Sequence, residues 1–345
     1  MNIRKPVIKR FKIGIIIGLF LGVSQAIGQV ASLSPKDLYG SYLEKKTASI
    51  QSSTKVISKN NQAELDRLEG LLEVNAAASF EYHLVKYMNG NYDLSLSNHL
   101  FEAAKLKPDD ARLNRELFGY YVLTGNTAKQ KEVAATIKGQ FSANSIMYYQ
   151  QLFLNKKSGF YVFSSDEDAY PALILQSQGR VSSDLQIVNL DFLQNDVYRK
   201  KIQDKIGGMN MKFLGNESAF ISALINSRSS QVSISTTVSQ SYLANSSSQL
   251  YITGLTYESG VLNQVQLLES FWKTSQPFLK NITLVSSGDK ALYSNFLPPL
   301  LTLYKLKRGN GLVDETLKAG ILLLAKKVDK ESAVSTIIKA YEQQE

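Results

Sequence analysis

Residues 159–190 read GFYVFSSDEDAYPALILQSQGRVSSDLQIVNL, and this stretch decides the fold class. An apolar run at 160–163 is followed by a polar turn, a segment with helical periodicity at 169–178, and a second apolar run at 185–190. Short apolar runs separated by one helix are typical of a strand–helix–strand unit, whose strands pair in parallel through a right-handed crossover. The stretch therefore predicts a small α/β module built on a parallel sheet.

The chain after this stretch extends the module and then changes character. Apolar runs at 232–238 and 250–255 predict two further strands. From Asn263 onward, helical periodicity returns. We therefore expect the α/β module to occupy residues 158–260, and a helical tail packed on the module to occupy residues 261–345.

The chain before the module is helical in pattern and contains two similar units at about 76–142. Each unit has an apolar helical face, a Gly-Asn turn and a second helix lined by small or branched apolar residues. The markers of the first unit are Phe80, Leu84, Tyr87, Gly90, Leu100, Ala103 and Pro108, and those of the second are Leu117, Phe118, Tyr121, Gly125, Val133, Ala134 and Ile137. This pattern resembles tetratricopeptide repeats, which pair two antiparallel helices in about 34 residues. An unrelated array of helical hairpins is the alternative.

Repeat arrays need about three units to bury a continuous core, so we expect residues 35–75 to supply another helix pair. The sequence as a whole predicts a mixed fold. An all-α, tetratricopeptide-like repeat domain at 33–157 is followed by the α/β parallel-sheet module and the helical tail.

The first 28 residues predict a signal peptide. Five basic residues precede an apolar run at 13–23, and Ala26-Ile27-Gly28 places small residues before a cleavage point. The alternative is a membrane anchor, but the dense apolar run is shorter than the roughly 20 residues that span a bilayer. We expect cleavage after Gly28 and export to the periplasm. The chain has no cysteine, so a lipid anchor on an amino-terminal cysteine is excluded.

Composition narrows the functional classes further. The absence of cysteine excludes disulfides, a thiol nucleophile and Cys-ligated zinc. The two histidines, His83 and His99, are too few for a His-rich metal site and leave little room for His-based catalysis. Five of the 39 Lys and Arg residues lie in the predicted signal, which leaves 34 against 30 Asp and Glu. That balance does not indicate a nucleic-acid partner.

Residues 163–193, FSSDEDAYPALILQSQGRVSSDLQIVNLDFL, carry a second resemblance. They resemble the soluble carboxy-terminal region of bacterial multi-pass membrane proteins that look like protein O-mannosyltransferases. That family has a pattern like Gly-Asp-Asn-Asp-Thr-Tyr-Pro, then a Leu-rich helix ending in Gln, then Asp-Val-Arg-Val-Val-Asn-Leu-x-Leu-Leu. The residues at matching positions are Asp166, Asp168, Tyr170, Pro171, Gln176, Arg180, Asp184, Val188, Asn189, Leu190 and Leu193.

This resemblance covers about residues 158–260 and includes a later Gly-Leu-x-Tyr at Gly254 to Tyr257. Three residues depart from the family's glycine, asparagine and threonine, namely Ser165, Glu167 and Ala169. No apolar run of 18 or more residues follows the signal, so the membrane part that would transfer a sugar is missing. The resemblance therefore implies a shared soluble module without transferase activity, with Asp166 and Asp168 at the ligand end of the sheet.

Asp166 and Asp168 directly follow the first predicted strand. Acidic side chains at the carboxyl ends of strands can hold a hard cation or orient a sugar hydroxyl. The alternative is a solvated turn, in which Asp168 caps the helix that begins at Ala169. We take Asp166, Asp168 and Asp184 as candidate ligand-binding residues, with no cofactor implied.

Helical repeats present a concave surface to a protein or peptide, and aromatic side chains anchor such partners well. Tyr87, Tyr120 and Tyr121 are therefore candidate partner-binding residues. We expect an exported, non-catalytic adaptor or scaffold that binds a protein partner in the cell envelope. The alternative is an α/β domain that binds a glycan or a cation at the three aspartates, with or without enzymatic activity.

Overall fold

The computed structural model describes residues 33–50, 57–154, 156–207 and 217–343. The predicted signal peptide lies outside these residues. The chain divides into two compact units, Met1–Leu113 and Asn114–Glu345. The predicted mixed fold class is confirmed, because helices dominate both units and the second contains a small five-stranded sheet. The domain boundaries predicted at residues 157 and 260 fall within the second unit and stay predictions.

Four helices form the described part of the first unit, namely α1 (Pro35–Ile50), α2 (Lys59–Ala76), α3 (Phe80–Asn89) and α4 (Ser97–Leu106). Each helix packs on the one before it, and α1 also packs on α3. Two serines begin helices in the usual way, because the side chain of Ser58 accepts a hydrogen bond from Asn61 N and that of Ser79 accepts one from Tyr82 N. The unit is therefore a stack of consecutive helical hairpins.

Helix α5 (Ala111–Thr124) runs across the division between the units. The other helices before the tail are α6 (Thr127–Ile137), α7 (Ala143–Leu152), α8 (Asp166–Ser177), α9 (Asp196–Ile206), α10 (Glu217–Arg228) and α11 (Gln240–Leu243). The strands are β1 (Gly159–Phe163), β2 (Leu185–Asn189), β3 (Val232–Ser235), β4 (Leu250–Ile252) and β5 (Thr256–Ser259).

The sheet has the order β2-β1-β3-β5-β4. Strands β1, β2 and β3 are parallel as predicted, with Tyr161 of β1 opposite Ile187 of β2 and Ser233 of β3. Strands β5 and β4 instead form an antiparallel hairpin on the far side of β3. The reason is the short connection between β4 and β5, because a parallel crossover needs a dozen or more residues. The sheet is therefore mixed.

Gly159 begins the central strand in a backbone conformation that other residues avoid. Its φ is +105°, and a Cβ atom built there would lie 2.5 Å from the carbonyl oxygen of Gln231. This close approach brings the start of β1 against the residue that precedes β3. Glycine at this position therefore allows the central parallel pair to form.

An aromatic cluster fills the space between β1 and helix α7. The ring of Phe163 is fully buried and lies within 6.3 Å of the ring centroids of Tyr149, Phe153 and Tyr161. The hydroxyl of Tyr161 donates a hydrogen bond to the Leu152 carbonyl at 2.9 Å. Aromatic packing of this kind dominates the energetics of a core. The cluster therefore fixes α7 against the sheet.

The tail consists of α12 (Gln264–Asn281), α13 (Ser287–Tyr293), α14 (Leu297–Gly309), α15 (Glu315–Lys327) and α16 (Glu331–Glu342). It packs on the preceding elements, with α13 against α7 and α14 against β4. Asp289 connects the tail to the start of α7, because its carboxylate accepts hydrogen bonds from Ser142 Oγ at 2.6 Å and from Asn144 Nδ2 at 3.1 Å. Among the described residues, no helix has both the length and the apolar character that crossing a bilayer requires.

Lys327 closes the carboxyl end of α12. Its ammonium group donates hydrogen bonds to the carbonyls of Leu279, Lys280 and Ile282 at 3.0, 2.8 and 2.9 Å. These are carbonyls at or just beyond the end of a helix, where intrahelical donors run out and the helix dipole favours a positive charge. One lysine of α15 thus donates hydrogen bonds to the carbonyls at the end of α12.

We expect Lys327→Met to lower the free energy of unfolding by about 2–3 kcal/mol, because three carbonyls lose a charged donor and two of these hydrogen bonds are partly buried. The neighbouring Lys326→Met is the matched control. Lys326 is exposed, so its replacement should change stability by no more than about 0.5 kcal/mol. Urea unfolding followed by circular dichroism measures both, and equal effects of the two substitutions would contradict the capping role.

Candidate functional site

The carboxyl ends of the parallel strands meet at one edge of the sheet. From β1 the chain proceeds to β2 on one side, whereas from β3 it proceeds to β5 and β4 on the other side. The crevice between the ends of β1 and β3 is therefore a topological switch point, the place where open α/β sheets most often bind ligands. Asp166 and Asp168 lie at this edge as predicted, but they belong to the first turn of α8 and not to a turn that precedes the helix.

Asp168 is tied to its surroundings by hydrogen bonds. Its carboxylate accepts one from the Ser164 hydroxyl at 2.9 Å and one from the Tyr149 hydroxyl at 3.2 Å. Burial, together with the nearby Asp168 carboxylate, holds the pKa of Tyr149 well above its usual range. Removing the carboxylate would leave a buried hydroxyl without this acceptor, at a cost of about 1–3 kcal/mol. These contacts give Asp168 a structural role.

The neighbouring acidic residues, Asp166 and Glu167, stabilise the amino-terminal turn of α8. Asp166 Oδ1 accepts a hydrogen bond from the backbone N–H of Glu167, and Glu167 pairs with Arg115 at 2.7 Å. Negative charges in the first turn stabilise a helix through its dipole. The predicted alternative of a cap is wrong in one detail, since the residue before the helix is Ser165, not Asp168, and it makes no side-chain capping bond.

Asp184 is separated from the other two candidates. It directly precedes β2, whose first residue, Leu185, is opposite Gly159 at the start of β1. Asp166 and Asp168 follow the other end of β1. Asp184 is exposed at the amino edge of the sheet, so the three carboxylates do not converge on one site.

The candidate partner-binding tyrosines also differ from one another. Tyr87 is only 1% exposed and belongs to the core of the first unit, so the expectation that it lines an open groove is wrong. It shares its helical face with Leu84, which is also buried. Tyr120 and Tyr121, in α5, are half-buried, and their rings meet edge to face with centroids 5.4 Å apart. Of the three candidates, Tyr120 and Tyr121 are the two that keep aromatic surface available to a partner.

The two histidines of the chain form a pair. His83 Nδ1 of α3 and His99 Nδ1 of α4 lie 2.9 Å apart, and the ring of Tyr82 contacts both imidazoles. One imidazole must donate a hydrogen to the other, because two lone pairs at this distance repel. Burial, and then the positive charge that His99 would carry, lower the pKa of His83, which the carboxylate of Glu102 partly offsets.

This lowered pKa predicts a loss of stability in acid. Above a pH of about 6.5, the usual histidine pKa, His83 is neutral in both the folded and the unfolded state, and its contribution to stability is fully present. As the pH falls below that value, the unfolded state takes up the proton more readily, so stability declines until His83 is also protonated in the folded state. We expect the unfolding midpoint in urea to fall more between pH 7.5 and pH 5 for the wild type than for His83→Gln. Equal changes in the two proteins would contradict this.

One group of polar side chains is not among the site residues predicted from the sequence. Ser233, Ser235, Thr256 and Glu258 alternate with other residues along β3 and β5, and they share one face of the sheet. That alternation is visible in the letters VSIS and TYES. A polar face under a helix is unusual for a small α/β module, and it is the signal that could have indicated a site.

Comparison of the chain with protein-family profiles, with curated proteins and with solved structures gives no match. The resemblances to tetratricopeptide repeats and to the mannosyltransferase-like proteins therefore stay predictions. Within the described ranges, no cluster of three or more His, Asp or Glu side chains is arranged to hold a metal ion. A proposal about function must consequently rest on the geometry of the chain itself.

Proposed function

We propose that the chain is an exported, non-catalytic adaptor that binds a protein partner in the cell envelope. The observation that carries the proposal is the half-exposed pair Tyr120 and Tyr121 on α5. Tyrosine offers a large apolar ring with a polar tip, and it is enriched among the residues that contribute most to protein interfaces. A pair of touching rings loses little conformational freedom when a partner covers it.

The surroundings of this pair suit an interface. Burial raises the pKa of Tyr121, and the charges of Lys129 and Glu132 on α6 lie close to it. Those two side chains form an exposed ion pair at 2.7 Å. Apolar anchors with a charged, solvated border are the usual anatomy of a protein interface. The consecutive helical hairpins of the first unit support the same proposal, since such stacks commonly serve as binding scaffolds.

The alternative proposal, a glycan or cation site at the aspartates, has less support. Asp184 lies at the opposite edge of the sheet from Asp166 and Asp168. Asp168 is held by Tyr149 and Ser164. A site of hard oxygen ligands would need several of these carboxylates to face one point.

The experiment is an affinity purification of the tagged mature chain from its own cell envelope, comparing wild type with Tyr120→Ala/Tyr121→Ala. We expect a stoichiometric partner on the wild type and at least a tenfold loss on the double variant, since two anchors are removed. Tyr251→Ala, which removes an exposed tyrosine from β4, is the control and should retain the partner.

Thermal unfolding of each variant separates loss of binding from loss of fold. Equal recovery of the partner on all three proteins, or recovery of none, would contradict the proposal. The intact mass of the purified chain tests export at the same time. A chain that begins at Gln29 is expected, and an uncleaved chain recovered from the cytoplasm would contradict export.

A further inference from the structure

A row of polar side chains crosses four strands of the sheet. The register places Tyr161 of β1 opposite Ser233 of β3, Ser233 opposite Glu258 of β5, and Glu258 opposite Tyr251 of β4. Residues that are opposite one another in a sheet project from the same face. Helix α12 lies over this face, where an apolar core would be the usual arrangement.

Glu258 is the charged centre of the row. Its Oε1 atom accepts hydrogen bonds from Thr256 Oγ1 at 3.1 Å, from Ser233 Oγ at 3.3 Å and from the ammonium group of Lys156. Among the described residues, none donates a hydrogen bond to the other carboxylate oxygen, Oε2. The Glu258 side chain is 17% exposed and that of Lys156 is 32% exposed. The pair is thus partly buried, with one acceptor oxygen unused.

A cavity of about 230 Å³ opens beside this ion pair. It lies between α12, the turn of the β4–β5 hairpin and the carboxyl end of α7. Lys156 and Glu258 form its charged wall, and the apolar wall is made by Leu152, Leu154, Leu255, Leu267 and Phe271. Gly254 lets the hairpin approach that wall, because a Cβ atom there would lie 2.9 Å from the ring of Phe271.

The geometry points to a binding site for a free α-amino acid with an apolar side chain. Lys156 has two N–H groups beyond the one directed at Glu258, and these suit a carboxylate. Glu258 Oε2 suits an ammonium group. The charges of Lys156 and Glu258 cancel, so a zwitterion finds a partner of opposite charge at each of its ends, which compensates for the water that both ends lose. An ion of a single sign would be repelled by one of the two protein charges.

The apolar wall and the volume restrict the side chain of the ligand. Leu154, Leu267 and Phe271 offer an aliphatic and aromatic surface with no charged group. Ligand pockets for drug-sized molecules run from about 300 to 1,000 Å³, so this cavity accommodates only a small metabolite. Leucine is the probe that matches both walls.

Isothermal titration calorimetry of the full mature chain tests this with three matched compounds. We expect L-leucine to bind, and leucinamide, which lacks the carboxylate, to bind at least tenfold more weakly. 4-Methylpentanoate, which lacks the ammonium group, should be weakened as much. Equal binding of leucine and 4-methylpentanoate, or binding of glucose in place of leucine, would overturn the assignment. So would a lack of binding by leucine, valine and phenylalanine alike.

Variants connect the binding to the site. Glu258→Gln keeps the shape of the side chain and should weaken leucine at least tenfold, while Glu331→Gln, an exposed change on α16, should leave it unchanged. If Glu258→Gln fails to fold, the ligand series on the wild type still decides the matter. Tyr120→Ala/Tyr121→Ala should bind leucine as the wild type does, so this inference and the adaptor proposal can fail separately.

Discussion

Gly159→Ala is expected to lower the free energy of unfolding by about 2–5 kcal/mol. The alanine would have to adopt a φ of +105°, which costs about 1–2 kcal/mol for a residue with a Cβ atom. That Cβ would also lie 2.5 Å from the Gln231 carbonyl oxygen, a backbone atom that cannot rotate away. Overpacking of this kind adds about 1–3 kcal/mol.

Gly179→Ala is the matched control for this substitution. Gly179 also has a positive φ, +69°, but no atom lies within 4 Å of the position that its Cβ would take. We expect only the conformational cost there, about 1–2 kcal/mol. Urea unfolding of both variants isolates the clash. Similar losses in the two variants would show that the approach of β1 to Gln231 contributes nothing.

Phe163→Ala is expected to cost about 3–5 kcal/mol, since it empties the centre of the aromatic cluster on β1. The ring is fully buried and contacts Tyr149, Phe153 and Tyr161. Those neighbours belong to the helix and the strand that the cluster joins, so the cavity cannot close by a local shift. Chemical denaturation gives the magnitude.

Phe163→Leu keeps most of the volume and should cost no more than about 1.5 kcal/mol. Tyr251→Ala, at a position 42% exposed on the edge strand, should change stability little. A loss below about 1 kcal/mol for Phe163→Ala would mean that the cluster is not tightly packed.

Individual helices and strands could be predicted because apolar residues recur along the sequence at the spacing that each type of element requires. Residues 160–163 and 185–190 correspond to β1 and β2, and the helix between them begins a few residues early, at Asp166. Strand β5 could not be predicted as easily, because its letters TYES alternate in polarity and only three residues separate them from the end of β4. The antiparallel pair depends on a two-residue turn at Gly254-Leu255, and an apolar-run argument does not detect such turns.

The candidate site was predicted in part. Asp166 and Asp168 lie at the expected edge because a residue that follows a parallel strand must do so. Asp184 precedes β2 and therefore lies at the opposite edge. Tyr87 shares a helical face with Leu84, and a face that packs between helices is buried. The Lys156–Glu258 pair joins residues far apart in sequence, which no local pattern indicates.

The central place of β1 also determines when the protein can fold. Phe160 of β1 pairs with Val232 of β3, and the hairpin that completes the sheet ends only at Ser259. The helices of the first unit contact neighbours in sequence, so they can fold early, whereas the sheet must wait for distant partners and form slowly. While the chain is being made, β1 can pair with β2 on one side, but its other edge stays unpaired until β3 has been made. Chaperones and proteases would therefore encounter β1 while this apolar edge is still exposed.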